Sequence, residues 1–128
     1  MLGGALSVRD DAAPIRAEQV QPASLDLRLG RHAHRMRAGF LASGAPIESR
    51  IERLAVESFE LDTEGCVLER GGVYLVELEE RLDLAGDLRG RFNPRSSTGR
   101  CDVFTRVVCP GHPRFDETPP GYRGGLWL

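Results

Sequence analysis

The sequence predicts an all-β domain with one or two short helices. Three observations carry that reading. Short runs of alternating apolar and polar residues recur along the chain, glycine-containing turns divide them at intervals of about 8–12 residues, and one segment alone, 47–55, has clear helical spacing. Short strands with turns at that interval belong to a barrel or a sandwich, and no internal repeat or linker divides the chain.

In chain order, residues 1–20 are small and polar with little periodicity, and read as a flexible lead-in or a partner-dependent arm. The domain proper is expected over 21–128. Leu25, Leu27 and Leu29 alternate with Ser24, Asp26 and Arg28, as in a half-buried strand; Gly30 is expected to break it, and His32 to Phe40 to return as a second. Ile47, Ile51, Leu54 and Ala55 share a helical face. Phe59 and Leu61 alternate with Glu60 and Asp62, and turns follow at 62–65 and 70–72. Val73 to Val76 is a continuous apolar run suited to a strand buried on both faces, and Leu78, Leu82 and Leu84 continue it at even spacing. The last residues, Gly121 to Leu128, read as a strand just begun, with Trp127 in the core, so the domain is expected to be incomplete at its C-terminus.

Composition narrows the function classes. The 128 residues suffice for one domain with a modest core, and 41% hydrophobic with 28% charged residues is ordinary for a globular protein. No apolar run approaches the roughly 18 residues of a membrane span, and the N-terminus lacks the basic region of a signal peptide, so a cytoplasmic protein without a membrane partner is expected. All 17 basic residues are arginine, which excludes a Walker lysine, a Schiff-base lysine and a lysine general base. A net charge of −2 argues against a protein that coats nucleic acid. Cys66, Cys101 and Cys109 have no framework spacing and are expected as buried free thiols.

Against that neutral background one stretch stands out, Asn93 to Val107. Arg95, Ser96, Ser97 and Arg100 fall within six residues, with Thr98-Gly99 allowing a tight turn. Two hydroxyls, two guanidinium forks and free amides form an anion cradle. The same residues also suit a helix N-cap with its arginines in solvent, and composition alone favours that second reading. Arg89, Arg91 and Arg106 flank the stretch and read as added positive potential at the site or as a solvated face, the second being favoured.

Three separated motifs change the balance. "SLDLRLG", "PRSSTGRCDVF" and "FDETPPGYRGGLWL" occur in this order over most of residues 20–128, and together they resemble the signature of the dCTP deaminase and dUTPase superfamily. The second arginine, four residues after the first serine, is similar to the deaminases, and "QPASLDLRLG" resembles their form in a proteobacterial branch with two deaminase-like halves in one chain. The resemblance implies a distorted jelly-roll or β-clip barrel and a homotrimer or trimer-like assembly with shared sites. It implies that Arg95, Ser96 and Ser97 contact nucleotide phosphates, that Ser96 and Arg100 border the reacting base and its water, that Asp116 lies near the sugar, and that Tyr122 shapes its pocket. It leaves Asp26 without a firm role.

The resemblance implies metal-independent deamination of dCTP to dUTP and ammonia. The zinc route would need a His-x-Glu and Pro-Cys-x-x-Cys signature, which this sequence lacks. Cys109 reads as a packed thiol and His112 as a loop histidine, and no protein metal site is expected. Mg²⁺ is implied only as a companion of the triphosphate. The general base of the family is a glutamate in the strand after the glycine-aromatic-x-glycine motif, and matching the motifs puts it immediately after Leu128. The chain is therefore expected to be an N-terminal fragment, inactive alone, since a general base contributes about 10²–10⁴-fold. Two other readings stay open: a dUTPase-like pyrophosphatase in which Asp116 activates water, and a non-catalytic nucleotide-binding or structural half.

Overall fold

The computed structural model describes residues 6–128. It is nearly all β, a curled half-barrel. The elements are β1 (Leu6–Val8), a single 3₁₀ turn (Ala17–Gln19), β2 (Leu29–Met36), α1 (Ile47–Leu54), β3 (Ala55–Glu60), β4 (Val73–Asp83), α2 (Ser96–Arg100) and β5 (Arg123–Trp127).

β4 organises the sheet. Every pairing is antiparallel; β2 and then β1 take one edge of β4, β5 takes the other, and β3 extends the sheet beyond β2. The register fixes this arrangement: Leu29 opposes Leu78, Val8 opposes Glu80, and Glu77 opposes Trp127. Residue 108 adds one further bridge to β5, with Val108 and Trp127 exchanging backbone hydrogen bonds at 2.7 and 3.0 Å.

Burial along β4 follows the period of two that a sheet with one covered face requires. Leu78, Glu80 and Leu82 are buried, whereas Arg81 and Asp83 are exposed. The core has two parts. Met36, Ala42, Ile47, Leu75 and Val108 pack beneath α1, whose Ile51 and Leu54 close over them together with Trp127. Leu78, Leu82, Val107, Cys109 and Leu126 form the second, covered by Leu6, Phe92 and Tyr122.

Several expectations hold. The helix spans Ile47–Leu54, the turns fall at 62–65 and 70–72, and the final residues form β5. Others are corrected. No strand covers 24–29; Leu25 makes a single bridge to Val20, and β2 starts at Leu29 and runs through Gly30 to Met36. Gly30 does not break the chain. It lets β4 approach, because a Cβ there would lie 2.5 Å from the Glu77 carbonyl oxygen, and the β2–β4 register shifts between Leu29 and Ala33. Val73 is exposed at the start of β4, so the apolar run is buried on both faces only at Leu75 and Val76. Cys66 and Cys101 are exposed, and only Cys109 is buried.

The sequence reads 1–20 as a lead-in. Residues 1–5 lie outside the described residues, but 6–20 are tied to the sheet. β1 pairs with β4, Arg9 bonds Asp11 and Glu77, and Gln19 is buried. The Gln19 side-chain amide donates to Glu80 Oε1 at 2.9 Å and to the Asp26 carbonyl at 2.8 Å. Glu80 also accepts the Arg28 backbone N–H and the Arg28 Nε–H, both at 2.8 Å. A buried carboxylate needs such partners, and they fasten the segment before β2 onto β4.

Candidate functional site

The motif segment is reached through a short ladder. Arg91 bridges Glu117, and the Phe92 N–H donates to the Asp116 carbonyl at 2.9 Å. Asn93 and Pro94 then lead to Arg95, extended at φ −66°, ψ 141°, which is the N-cap of α2. The Arg95 carbonyl accepts the Thr98 and Gly99 N–H groups at 3.0 and 3.3 Å, closing a single turn that ends at Arg100.

No side chain caps this turn. The serines follow the N-cap instead of occupying it, so the capping reading of the motif does not hold. Arg95, Ser96, Ser97 and Arg100 are all exposed, and the Arg95 guanidinium lies 3.6 Å from the Asp26 carboxylate. That carboxylate gives Asp26 a position that sequence reasoning left open.

Asp116 stands at the base of the same ladder. Its backbone is left-handed (φ 62°), a conformation that aspartate tolerates better than most residues. Its N–H donates to the Val107 carbonyl at 2.9 Å, while its Oδ1 accepts the Val107 N–H at 2.8 Å and its Oδ2 accepts Arg106 Nη1 at 2.7 Å. An open cleft of about 300 Å³ lies beside it, lined by Arg91, Phe92, Asn93, Phe115, Asp116 and Glu117. Glu117 contacts His112 Nε2 at 3.2 Å and accepts from Arg114 Nη1 at 3.3 Å. The hydrogen bond to His112 is the main reason its carboxyl is held below the ordinary range, and the Arg114 charge adds to it.

Tyr122 does not line this cleft and packs against the Leu78, Leu82, Val107, Cys109 and Leu126 cluster. Its hydroxyl donates to the Gly125 carbonyl at 2.7 Å, and a Cβ on Gly124 would lie 2.7 Å from that hydroxyl. Gly124, at φ 153°, therefore lets the ring fold back over β5. Burial raises the Tyr122 phenol above its ordinary pKa and pushes the Cys109 thiol up to about 11. Cys109 is thus the packed thiol expected from the sequence, and His112 is a loop histidine engaged by Glu117. Among the described residues, no three His, Cys, Asp or Glu side chains form a group that could hold a metal ion.

Of the residues singled out by sequence, four share α2 and its N-cap, Asp116 is tied to the lead-in of that turn, and Tyr122 belongs to the core beneath β5. Sequence reasoning missed Glu80 and the partnership of Arg106 with Asp116. Glu80 had a signal: it falls in phase with Leu78 and Leu82, on the face that must be buried. Arg106 and Asp116 are ten residues apart across a proline-containing loop, and no periodicity joins them.

The family model described as the 2'-deoxycytidine 5'-triphosphate deaminase N-terminal domain matches residues 5–128. A dCTP deaminase of Natronomonas pharaonis is 32% identical over 111 residues, covering 86% of this chain and 54% of that protein. A probable deoxyuridine 5'-triphosphate nucleotidohydrolase of Methanopyrus kandleri is 33% identical over 128 residues, covering 98% of this chain and 74% of that one. The crystal structure of 2'-deoxycytidine 5'-triphosphate deaminase from Agrobacterium tumefaciens superposes with a TM-score of 0.87 at 44% identity, over 98% of this chain and 37% of that chain. The chain thus spans about half the length of the first of these relatives and just over a third of the solved structure.

Proposed function

The chain belongs to the family of 2'-deoxycytidine 5'-triphosphate deaminase N-terminal domains, and from that premise we propose that the gene product carrying it deaminates dCTP to dUTP and ammonia. One observation carries the reading. A single uncapped turn exposes two guanidinium groups and two hydroxyls together, and its lead-in is hydrogen-bonded to the backbone of Asp116. Free N–H groups, hydroxyls and arginine forks at one turn suit the oxygens of a triphosphate.

In this assignment Arg95, Ser96 and Ser97 hold the phosphates, and Asp116 faces the sugar. Ser96 and Arg100 border the cytosine ring and the attacking water, and Tyr122, packed in the core under β5, shapes the sugar pocket from behind by holding the segment that forms it. Water adds to C4, the C4–N4 bond breaks, and ammonia leaves as the C4 carbonyl forms. A carboxylate must take the proton from that water and return one to the departing amine. By the motif match that role belongs to a glutamate in the strand that β5 begins, and because this chain spans about half the length of its dCTP deaminase relative the activity is assigned to the whole protein that carries it. Mg²⁺ enters as part of the substrate, on the triphosphate oxygens. Val103 and Phe104, exposed directly after α2, are apolar side chains that a neighbouring unit of a trimer-like assembly would cover.

A second reading is favoured by the Methanopyrus kandleri relative and by the "dUMP-forming" dCTP deaminase of Corynebacterium glutamicum, 30% identical over 115 residues. It adds or substitutes hydrolysis of the triphosphate. Resolving the products formed from dCTP separates the readings. Deamination alone gives dUTP; a pyrophosphatase step gives a monophosphate and pyrophosphate; binding without turnover leaves a non-catalytic nucleotide domain.

A further inference from the structure

We propose that Arg106 is a positioning residue: it fixes the second oxygen of Asp116 so that the carboxylate is presented to the sugar hydroxyl of a 2'-deoxynucleotide. The inference rests on the reading of Asp116 as the sugar-side residue.

The backbone of Asp116 is fixed twice, by its N–H on the Val107 carbonyl and by its own carbonyl on the Phe92 N–H, both at 2.9 Å. Its side chain is fixed once by the main chain, through Oδ1 on the Val107 N–H at 2.8 Å. One contact leaves the carboxylate free to swing about that oxygen. The Arg106 contact to Oδ2 at 2.7 Å removes this freedom. Two of the roughly four lone-pair positions of a carboxylate are then filled, and one on each oxygen remains for a ligand.

The pair does not serve burial. The Arg106 side chain is 68% exposed and that of Asp116 22% exposed, and surface ion pairs add little to stability. Orientation is what such a contact supplies, and small errors in positioning are expensive at a binding site. The ligand chemistry follows from the nucleotide itself. A 2'-deoxynucleoside 5'-triphosphate has no 2'-hydroxyl and its 5'-oxygen is esterified, so the 3'-hydroxyl is the one sugar donor left for Asp116.

The test is calorimetric titration of the complete gene product with dCTP and with 2',3'-dideoxycytidine 5'-triphosphate, for the unmutated protein, Arg106→Ala, Arg106→Lys and Asp116→Asn. The unmutated protein should prefer dCTP. Arg106→Ala should weaken dCTP binding about fivefold or more while changing the dideoxy analogue less than about twofold, and Arg106→Lys, which keeps a donor, should recover part of the loss. Asp116→Asn should lose the same preference. Equal weakening of both nucleotides in Arg106→Ala would mean that Arg106 acts on the phosphates through its charge, and would overturn the inference. So would equal binding of the two nucleotides by the unmutated protein, which leaves the deaminase reading standing. If the unmutated protein binds neither nucleotide, the assignment of the site falls and this inference falls with it. Thermal melting of each variant separates an unfolded protein from a misplaced carboxylate.

Discussion

The Arg28 guanidinium lies 2.8 Å from the carboxylate of Glu80, a side chain with no solvent exposure. The same carboxylate takes the Arg28 backbone N–H and the Gln19 amide, and Arg28 Nη2 reaches back to the Ala13 carbonyl at 2.7 Å. Residues 13 to 28 are thereby bound to the middle of β4, the strand on which β1, β2 and β5 all assemble.

Glu80→Ala should therefore destabilise the domain far more than a surface substitution. It removes the acceptor of the Arg28 backbone N–H and one acceptor each of the Arg28 guanidinium and the Gln19 amide, which keep Glu79, Ala13 and Asp26 as partners, and it empties a fully buried site, at a cost of about 1–3 kcal/mol. Glu80→Gln keeps one acceptor oxygen and should cost less. Urea titration of the three proteins checks the order, and an Ala variant within about 0.5 kcal/mol of the unmutated protein would refute the role given to the cluster.

Glu117 gives an acid-side prediction. Its folded carboxyl is held below the ordinary range, chiefly by the His112 hydrogen bond. A depressed folded pKa stabilises the fold fully above the unfolded value of about 4.3 and is lost as pH falls through the folded value. Stability of the unmutated protein should thus decline more steeply than that of Glu117→Gln between about pH 5 and pH 3. Parallel curves over that window would show that the contact contributes nothing.

The three cysteines should divide by environment. Cys66 and Cys101 are exposed, while Cys109 is buried with its thiol pushed up to about 11. Alkylation at pH 8 should modify the first two in the folded protein and Cys109 only on unfolding, since the thiolate is the reactive form. Rapid labelling of Cys109, read by peptide mass spectrometry, would contradict its packing beneath Tyr122.

What was legible in the sequence was legible because it repeats. Ile47, Ile51 and Leu54 mark a helical stripe, and Leu78 and Leu82 mark the buried face of β4; both are read directly from spacing. The leucines of 25–29 carry the same alternation but are not a strand, because Leu25 bonds back to Val20 and the chain joins β4 only from Leu29. Local pattern does not report which neighbour a backbone finds. Glu80 follows the same rule: its phase with Leu78 and Leu82 marks the buried face, but the partners that satisfy a carboxylate there, Arg28 and Gln19, are distant in sequence. The site divides in the same way. The cluster at Arg95–Arg100 could be seen as composition, but the ties of Asp116 to Phe92, Val107 and Arg106 depend on tertiary contacts across a loop.

The most direct test of the functional account is ammonia release from dCTP by the complete gene product, beside Arg100→Ala. The account predicts one ammonia per dUTP formed by the unmutated protein and a loss of about 10²-fold or more in the variant, the scale expected for removing a charged group at the reacting centre. Nucleotide binding without ammonia release by the unmutated protein, or unchanged turnover in Arg100→Ala, would contradict it.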